Sequence, residues 1–219
     1  DLQQLSGVEI IKGPAASVYG AGTGGAVLFR SEMGYTAQPM HQFSAGLLGG
    51  SYGLFQQQAG WEYSTKHFTS SLQQSHQQSD GYRQQSASRK DNIKWQGSWQ
   101  GNTQELTWLV WYTDLFYQTP GGITLAQMQQ NPELARQPAG ALPGAVQQQT
   151  AIYNKTILGA VQQEVKLSKQ LVWKNFLSLN HTLLANPFIT NYEKRGEANI
   201  GAGTQLAYSI RKNNTRLQW

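Results

Sequence analysis

From Phe43 onward the chain alternates apolar and polar residues in short runs separated by polar turns. Phe55, Gln57, Ala59, Trp61 and Tyr63 fall on one side of such a run. Gln56, Gln58, Gly60, Glu62 and Ser64 fall on the other. Ile93, Trp95, Gly97 and Trp99 oppose Lys94, Gln96, Ser98 and Gln100 in the same way, and Ala198 to Ile210 repeats the pattern. Phe43, Ala45 and Leu47 share a side. A period of two predicts β-strands, because successive side chains leave a strand on opposite faces. Three runs are less regular. His67–His76 is weakly apolar on either side, Leu106–Phe116 is nearly apolar on both, and Leu171–Leu183 changes side near Phe176, as at a β-bulge. Residues 1–32 differ: they are rich in glycine and hold two short apolar runs, Val8–Ile11 and Ala26–Phe29. Residues 33–42, with Pro39, read as a linker.

The lengths of the connections carry a second signal. Ser64–His67, Gly101–Gln104, Leu167–Gln170 and Arg211–Thr215 are short turns, and between them lie the longer stretches Gln77–Arg89, Tyr117–Thr150 and Asn186–Glu197. Short turns at one end and long loops at the other are the habit of outer-membrane β-barrels. By this parity the first strand rises from the short-turn side and Gly49–Gly53 is a short turn at the loop end. A soluble sandwich has no reason to keep such a register.

Composition narrows the picture without closing it. Only 13% of residues are charged, while aromatics reach 11%, with seven Trp and ten Tyr, and there are 23 Gly. No stretch approaches the ~20 apolar residues of a membrane helix. A transmembrane barrel and a soluble all-β protein both fit. The absence of cysteine excludes a disulfide framework and thiolate metal sites. The net charge of +5 is scattered and forms no stripe, so a nucleic-acid partner is not expected. His41, His67, His76 and His181 lie far apart and lack ligand spacing, and Ser17 lacks a G-x-S-x-G setting. No catalytic residue, metal ligand or cofactor is expected, and the chain does not read as an enzyme.

The segment Val8 to Arg30 has its own physics. A strand ends at Lys12, Gly13 turns the chain, and Pro14 suits the first position of a short helix. Ala15–Tyr19 make about one helical turn, Gly20 stops it, and Gly22, Gly24 and Gly25 permit tight bends before a second strand ending at Arg30. This is no phosphate loop: no Lys follows the glycines, and the helix precedes them.

As a whole this segment, a V-E-x-x-K-G strand followed by P-x-x-x-x-Y-G and a G-G-x-x-x strand, resembles the C-terminal part of the plug domain of TonB-dependent outer-membrane receptors. Its positions are Lys12, Gly13, Pro14, Tyr19, Gly20, Gly24, Gly25 and Arg30. Gly50–Gly53 and Ser79–Arg83 resemble early-barrel segments of ferric-siderophore receptors. Thr119–Thr124 with Asn131–Glu133 resembles an outer loop of receptors grouped with ferric-citrate transporters.

The resemblance implies an all-β chain: a partial transmembrane antiparallel β-barrel of about eight to nine strands over residues 43–219, preceded by the end of a small mixed α/β plug over residues 1–32. It implies a fragment of a 22-stranded family barrel in the outer membrane of a Gram-negative bacterium. The implied function is uptake of a ferric siderophore or citrate-like chelate. Energy would come from TonB, with ExbB and ExbD, through a segment absent from this chain. Cobalamin, another metal chelate or a glycan are alternative cargoes, and a soluble β-rich binding module or adhesin is an alternative class. Expected partners are TonB, the ferric chelate, outer-membrane lipid and lipopolysaccharide.

Cargo contacts are expected on the outer loops at Tyr82, Arg83, Arg89, Arg136, Tyr192, Lys194 and Arg195, where aromatic faces and cations suit an anionic chelate. Glu62, Lys94 and Glu164 are expected to face the lumen, and Arg30 to pair with a barrel carboxylate such as Glu62. Trp61, Tyr63, Trp95, Trp99 and Trp108 are expected to form an aromatic girdle.

Overall fold

The computed structural model describes residues 7–13, 24–31, 33–187, 192–212 and 215–218. They form two units, Asp1–Gly34 and Tyr35–Trp219. In the first, β1 (Gly7–Lys12) and β2 (Gly25–Arg30) pair antiparallel from Gly7↔Arg30 to Lys12↔Gly25. Gly25 closes this hairpin at φ +127, and a Cβ there would collide with the carbonyl of Ile11, so only glycine fits. Arg30 ion-pairs with Glu9, diagonally across the two strands. Val8, Ile10, Val27 and Phe29 share the opposite, exposed face. Pro14, Tyr19 and Gly20 lie outside the described residues.

The second unit holds one nine-stranded antiparallel sheet. Its strands are β3 (Met40–Gly49), β4 (Phe55–Ser64), β5 (Phe68–Ser79), β6 (Ser88–Gln100), β7 (Gln104–Gln118), β8 (Ala151–Lys166), β9 (Leu171–Pro187), β10 (Tyr192–Lys212) and β11 (Thr215–Gln218). Each pairs with the next in sequence, so the sheet is a meander without crossovers. Among the described residues no helix is long and apolar enough to cross a membrane.

Because directly paired residues share a face, the register sorts the side chains. One row runs Phe43, Trp61, Leu72, Trp95, Val110, Gly159, Leu179 and Ile200 from β3 to β10, with no polar residue in it. A row on the other face runs Gln58, Ser75, Asn92, Thr113, Thr156, Thr182 and Glu197 from β4 to β10. Trp61, Trp95, Trp99, Trp108 and Trp173 all fall on the apolar face, and so does Tyr63. Glu62, Lys94 and Glu164 fall on the polar one.

The apolar face has no protein layer over it within this unit. Phe43, Leu47 and Ile200 are 76%, 79% and 76% exposed. The buried hydrophobic residues among those described are all alanines: Ala135, Ala145, Ala151 and Ala207. A soluble sandwich would bury these strand faces against a second sheet. Among the described residues the unit contains one sheet, so its large apolar side chains suit lipid.

Much of the polar face is paired from within, although the buried Oε1 of Gln73 on that face has no hydrogen-bond partner. Asn92 donates to Ser75 at 3.1 Å and accepts from Thr113 at 2.8 Å. Thr156 and Thr182 share a hydrogen bond at 2.9 Å, and Lys174 meets Glu164 at 2.7 Å. Leu109, Trp111 and Leu158 interrupt this face, which accounts for the double-sided apolarity of β7.

Three sequence expectations need correction. Leu171–Leu183 contains no bulge: β9 keeps unbroken register with both neighbours. Phe176 stands on the polar face and lies over Gly203, where a Cβ would strike its ring. Nor is Asn186–Glu197 a long loop. β9 runs to Pro187 and β10 starts at Tyr192. Backbone ladders need no apolar alternation, and here charged neighbours stand in for it: Arg195 bonds Glu193 at 3.1 Å and Glu197 at 2.9 Å along one face of β10. The Gln77–Arg89 loop likewise shrinks to residues 80–87, with Arg89 on β6.

On the apolar face, the Trp108 ring lies against Gly97, where a Cβ would overlap the ring and stand 2.6 Å from the Thr69 carbonyl oxygen. That carbonyl is held by the sheet. Gly97→Ala in the full-length protein is therefore expected to destabilise the barrel by about 1–3 kcal/mol through overpacking. Gly159→Ala, on the same face with nothing within 4 Å, is the neutral control. The temperature at which the folded form is lost in micelles reads both.

Candidate functional site

The turn end and the loop end of the sheet are built differently. At the turn end, Thr65 and Ser168 accept the amides of Phe68 and Leu171, each with its side-chain oxygen, and close three-residue and four-residue turns. The segment before β3 crosses the polar face there. The Thr36 amide donates to the Thr65 carbonyl at 3.1 Å, the Thr36 hydroxyl meets Ser64 at 3.0 Å, and the Tyr35 hydroxyl meets Ser98. Ser64 and Thr69 are buried. Burial, reinforced by nearby Glu105, raises the Tyr35 phenol above its usual range. The polar face is thus the one the incoming chain approaches, as a lumen would be.

At the loop end, three connections pack together. In the first, Tyr52 (φ +59) and Gly53 (φ +63) form a tight left-handed tip. The Tyr52 carbonyl accepts the Asp80 amide at 2.8 Å and the Ser79 hydroxyl at 3.1 Å. The Tyr52 and Tyr82 rings meet edge to face at 5.5 Å. The second connection, residues 80–87, is bound to the third, residues 119–150. Gln84 donates its amide to the Glu133 carbonyl at 2.8 Å, and the Gln85 side chain donates to the Thr150 carbonyl at 3.1 Å.

Arg83 is the main tie between these loops. Its Nε and Nη2 donate to the Leu134 carbonyl at 3.0 and 2.7 Å, and Nη2 also donates to the Gly121 carbonyl at 2.9 Å. Arg136 does the same inside the long loop. Nη1 donates to the Pro143 carbonyl at 2.8 Å and Nη2 to the Gln148 side chain at 3.0 Å. Two short helices complete this loop: α1 (Leu125–Gln130), closed by a capping box between Thr124 and Gln127, and α2 (Ala145–Gln148). Ala135 and Ala145 are fully buried beneath it.

The expected cargo residues therefore separate. Tyr82, Arg83 and Arg136 come together, but both guanidinium groups serve backbone carbonyls. Arg89 stands on β6 on the apolar face and meets Asp91 at 3.3 Å and Asp114 at 3.6 Å. Tyr192, Lys194 and Arg195 stand on β10, two strands beyond β8, the nearest strand that the loop of Arg136 joins. Lys194 is on the apolar face and Arg195 on the polar one.

Between the loops lies an open cavity of about 450 Å³. Sequence reasoning placed one of its lining residues, Arg136, and missed the glutamines beside it, Gln84, Gln85, Gln137 and Gln147, with Pro138 and Val146. Glutamine in a chain so rich in it reads as neutral surface, and no spacing rule marks these four. Carboxamides both donate and accept, so the cavity suits hydroxyl and carbonyl groups. Among the described residues no group of three or more His, Asp or Glu side chains could hold a metal ion.

No protein-family model and no curated protein matches the chain. Solved structures do. The ferric citrate transporter FecA in its unliganded form superposes with a TM-score of 0.72 at 14% identity, over 96% of this chain and 32% of that one. BauA, the ferric preacinetobactin receptor from Acinetobacter baumannii, gives 0.65 at 14% identity over 99% and 35%. The copper transporter OprC gives 0.64 at 16% identity over 95% and 31%. The chain spans about a third of the length of each of these proteins. Its hairpin and its nine-stranded meander have the fold of the TonB-dependent siderophore and metal receptors over that part of them.

Proposed function

We propose that this chain is part of an outer-membrane receptor that imports a ferric siderophore with energy supplied through TonB. The observation that carries the reading is the division of one meander into an exposed apolar face and a largely self-paired polar face, with short turns at one end and interlocked loops at the other. Residues 1–32 would be the end of the plug. Residues 33–42 would link it to a barrel whose first strand picks up at Met40. The receptor's work is binding and passage; no bond in the cargo is broken.

Within this part of the receptor, the loop chemistry favours a siderophore over a citrate-like chelate. Arg83 spends its charge on carbonyls, and Arg136, at the cavity wall, donates to the Pro143 carbonyl and the Gln148 side chain. What remains for the cargo is the Tyr52–Tyr82 aromatic pair and a carboxamide-lined cavity. These suit a ligand presenting neutral oxygens and flat rings more than a compact polyanion.

Two outcomes are expected. Deleting the full-length gene in the source bacterium should abolish iron-limited growth on one ferric siderophore while sparing growth on ferric citrate. Loss on ferric citrate alone would reverse the cargo assignment, and unchanged growth on every iron chelate would move the cargo away from iron. In the purified receptor, Arg83→Ala removes charged donors worth about 1.5–3 kcal/mol each. It should weaken binding of that siderophore by at least tenfold in calorimetry and leave the melting of the barrel unchanged.

A further inference from the structure

The polar face is indented at Gly60, where oxygen-bearing side chains from three strands surround a residue that has none. Ser44 on β3 and Gln73 on β5 pair directly with Gly60. Glu62 is the next residue of β4 on that face, and its own partners are Gln42 and Ser71. These side chains line an open bowl of about 40 Å³ over the Gly60 backbone, room for one guest the size of a water molecule. We propose that the bowl binds one monovalent cation of the size of sodium, held by the Glu62 carboxylate and the neutral oxygens of Gln42, Ser44, Ser71 and Gln73. The inference rests on the register of the sheet and is independent of the cargo.

The bowl exists because position 60 is glycine. Its backbone does not require one, since Gly60 is not among the positive-φ glycines. A Cβ there would stand 2.6 Å from Ser44 Oγ and 3.6 Å from the Cγ of Gln73. An alanine would therefore fill the bowl and push the serine hydroxyl aside. Glycine weakens the interior of a strand, and it often marks a place where another group comes close to the backbone.

The ring of side chains sets the sign and the class of the guest. The Oε1 of Gln73 is buried without a hydrogen-bond partner, and an unmatched buried acceptor is costly. Ser71 is buried beside it at 2% exposure. Glu62 has no ion-pair partner among the described residues. An anion would meet that carboxylate, whereas a cation satisfies the carboxylate and the orphaned amide oxygen together. Donors that are all oxygen select a hard ion, and one carboxylate balances one positive charge. Calcium takes about six to eight oxygens, and magnesium keeps several waters, for which so small a bowl has no room. Lys94 pairs with Gln73 from β6 and is the competing cation of this chain, but it is not among the residues that line the bowl. An ion held here would join β3, β4 and β5 on the polar side.

Thallium(I) scatters anomalously and stands in for alkali cations. Crystals of the full-length protein soaked in thallium(I) acetate are expected to show an anomalous peak in contact with the Glu62 carboxylate and Gln73 Oε1. A bowl that stays free of thallium holds water only and overturns the inference. Melting in micelles, as sodium chloride replaces choline chloride at fixed ionic strength, reads the energetics. The wild type should gain stability with sodium and then saturate, as a single-site ligand requires. Glu62→Gln should need about tenfold more sodium for the same gain. Gly60→Ala should keep its fold in choline and lose the response to sodium, while Gly159→Ala responds as the wild type does. A gain that never saturates, or that is equal in all variants, is a general salt effect and overturns the inference. Lys94→Met should keep the sodium response. A response that appears only in Lys94→Met would make the Lys94 ammonium the guest and overturn the assignment.

Discussion

The structure of the second unit depends on one constraint: a backbone N–H or C=O held away from water must find its partner in the chain itself. The antiparallel ladder from β3 to β11 answers it strand by strand. Once the ladder is unbroken, the facing of each side chain is fixed by parity. A slip of one residue anywhere would carry tryptophans into the polar row and glutamines into the apolar one. The register therefore does more than join strands. It makes two surfaces of opposite chemistry out of a sequence whose mean polarity looks unremarkable for a soluble protein.

The two surfaces are stabilised differently. On the apolar side, bulk is carried by exposed aromatic and aliphatic residues, and close fit appears only locally, as where Trp108 covers Gly97 with Phe68 and Trp95 beside it. On the polar side, short side chains bond to their neighbours across the strands. Ser75, Asn92 and Thr113 form one such chain, and Asn180 with Asn199 another contact at 2.9 Å.

The strands were legible because alternation survives wherever one face meets lipid. Phe55–Ser64 and Ile93–Gln100 could be assigned face by face from sequence alone. Legibility failed where that pressure stops. Beyond the apolar belt, β9 and β10 continue on backbone bonds and charged neighbours, and Asn186–Glu197 then looks like a loop. It failed again at Phe176, whose place on the polar face depends on Gly203, a residue on another strand far along the chain. The bonding of the loop arginines was hidden for a related reason. A guanidinium offered to a ligand and one spent on the carbonyls of Leu134 or Pro143 look the same in sequence. The glutamines that line the cavity left no sign, because its walls come from two connections that meet only after folding.

The crossing of residues 35 and 36 over the ends of β4 and β6 has a mechanical consequence. These contacts precede the first rung of β3 along the chain, so tension arriving from upstream reaches them before it reaches the ladder. The backbone bond to Thr65 and the two hydroxyl contacts to Ser64 and Ser98 lie on adjoining residues. They take up load together, as a clasp does, instead of parting one after another like the teeth of a zipper. The strand that begins at Met40 is shielded from peeling as long as that clasp holds.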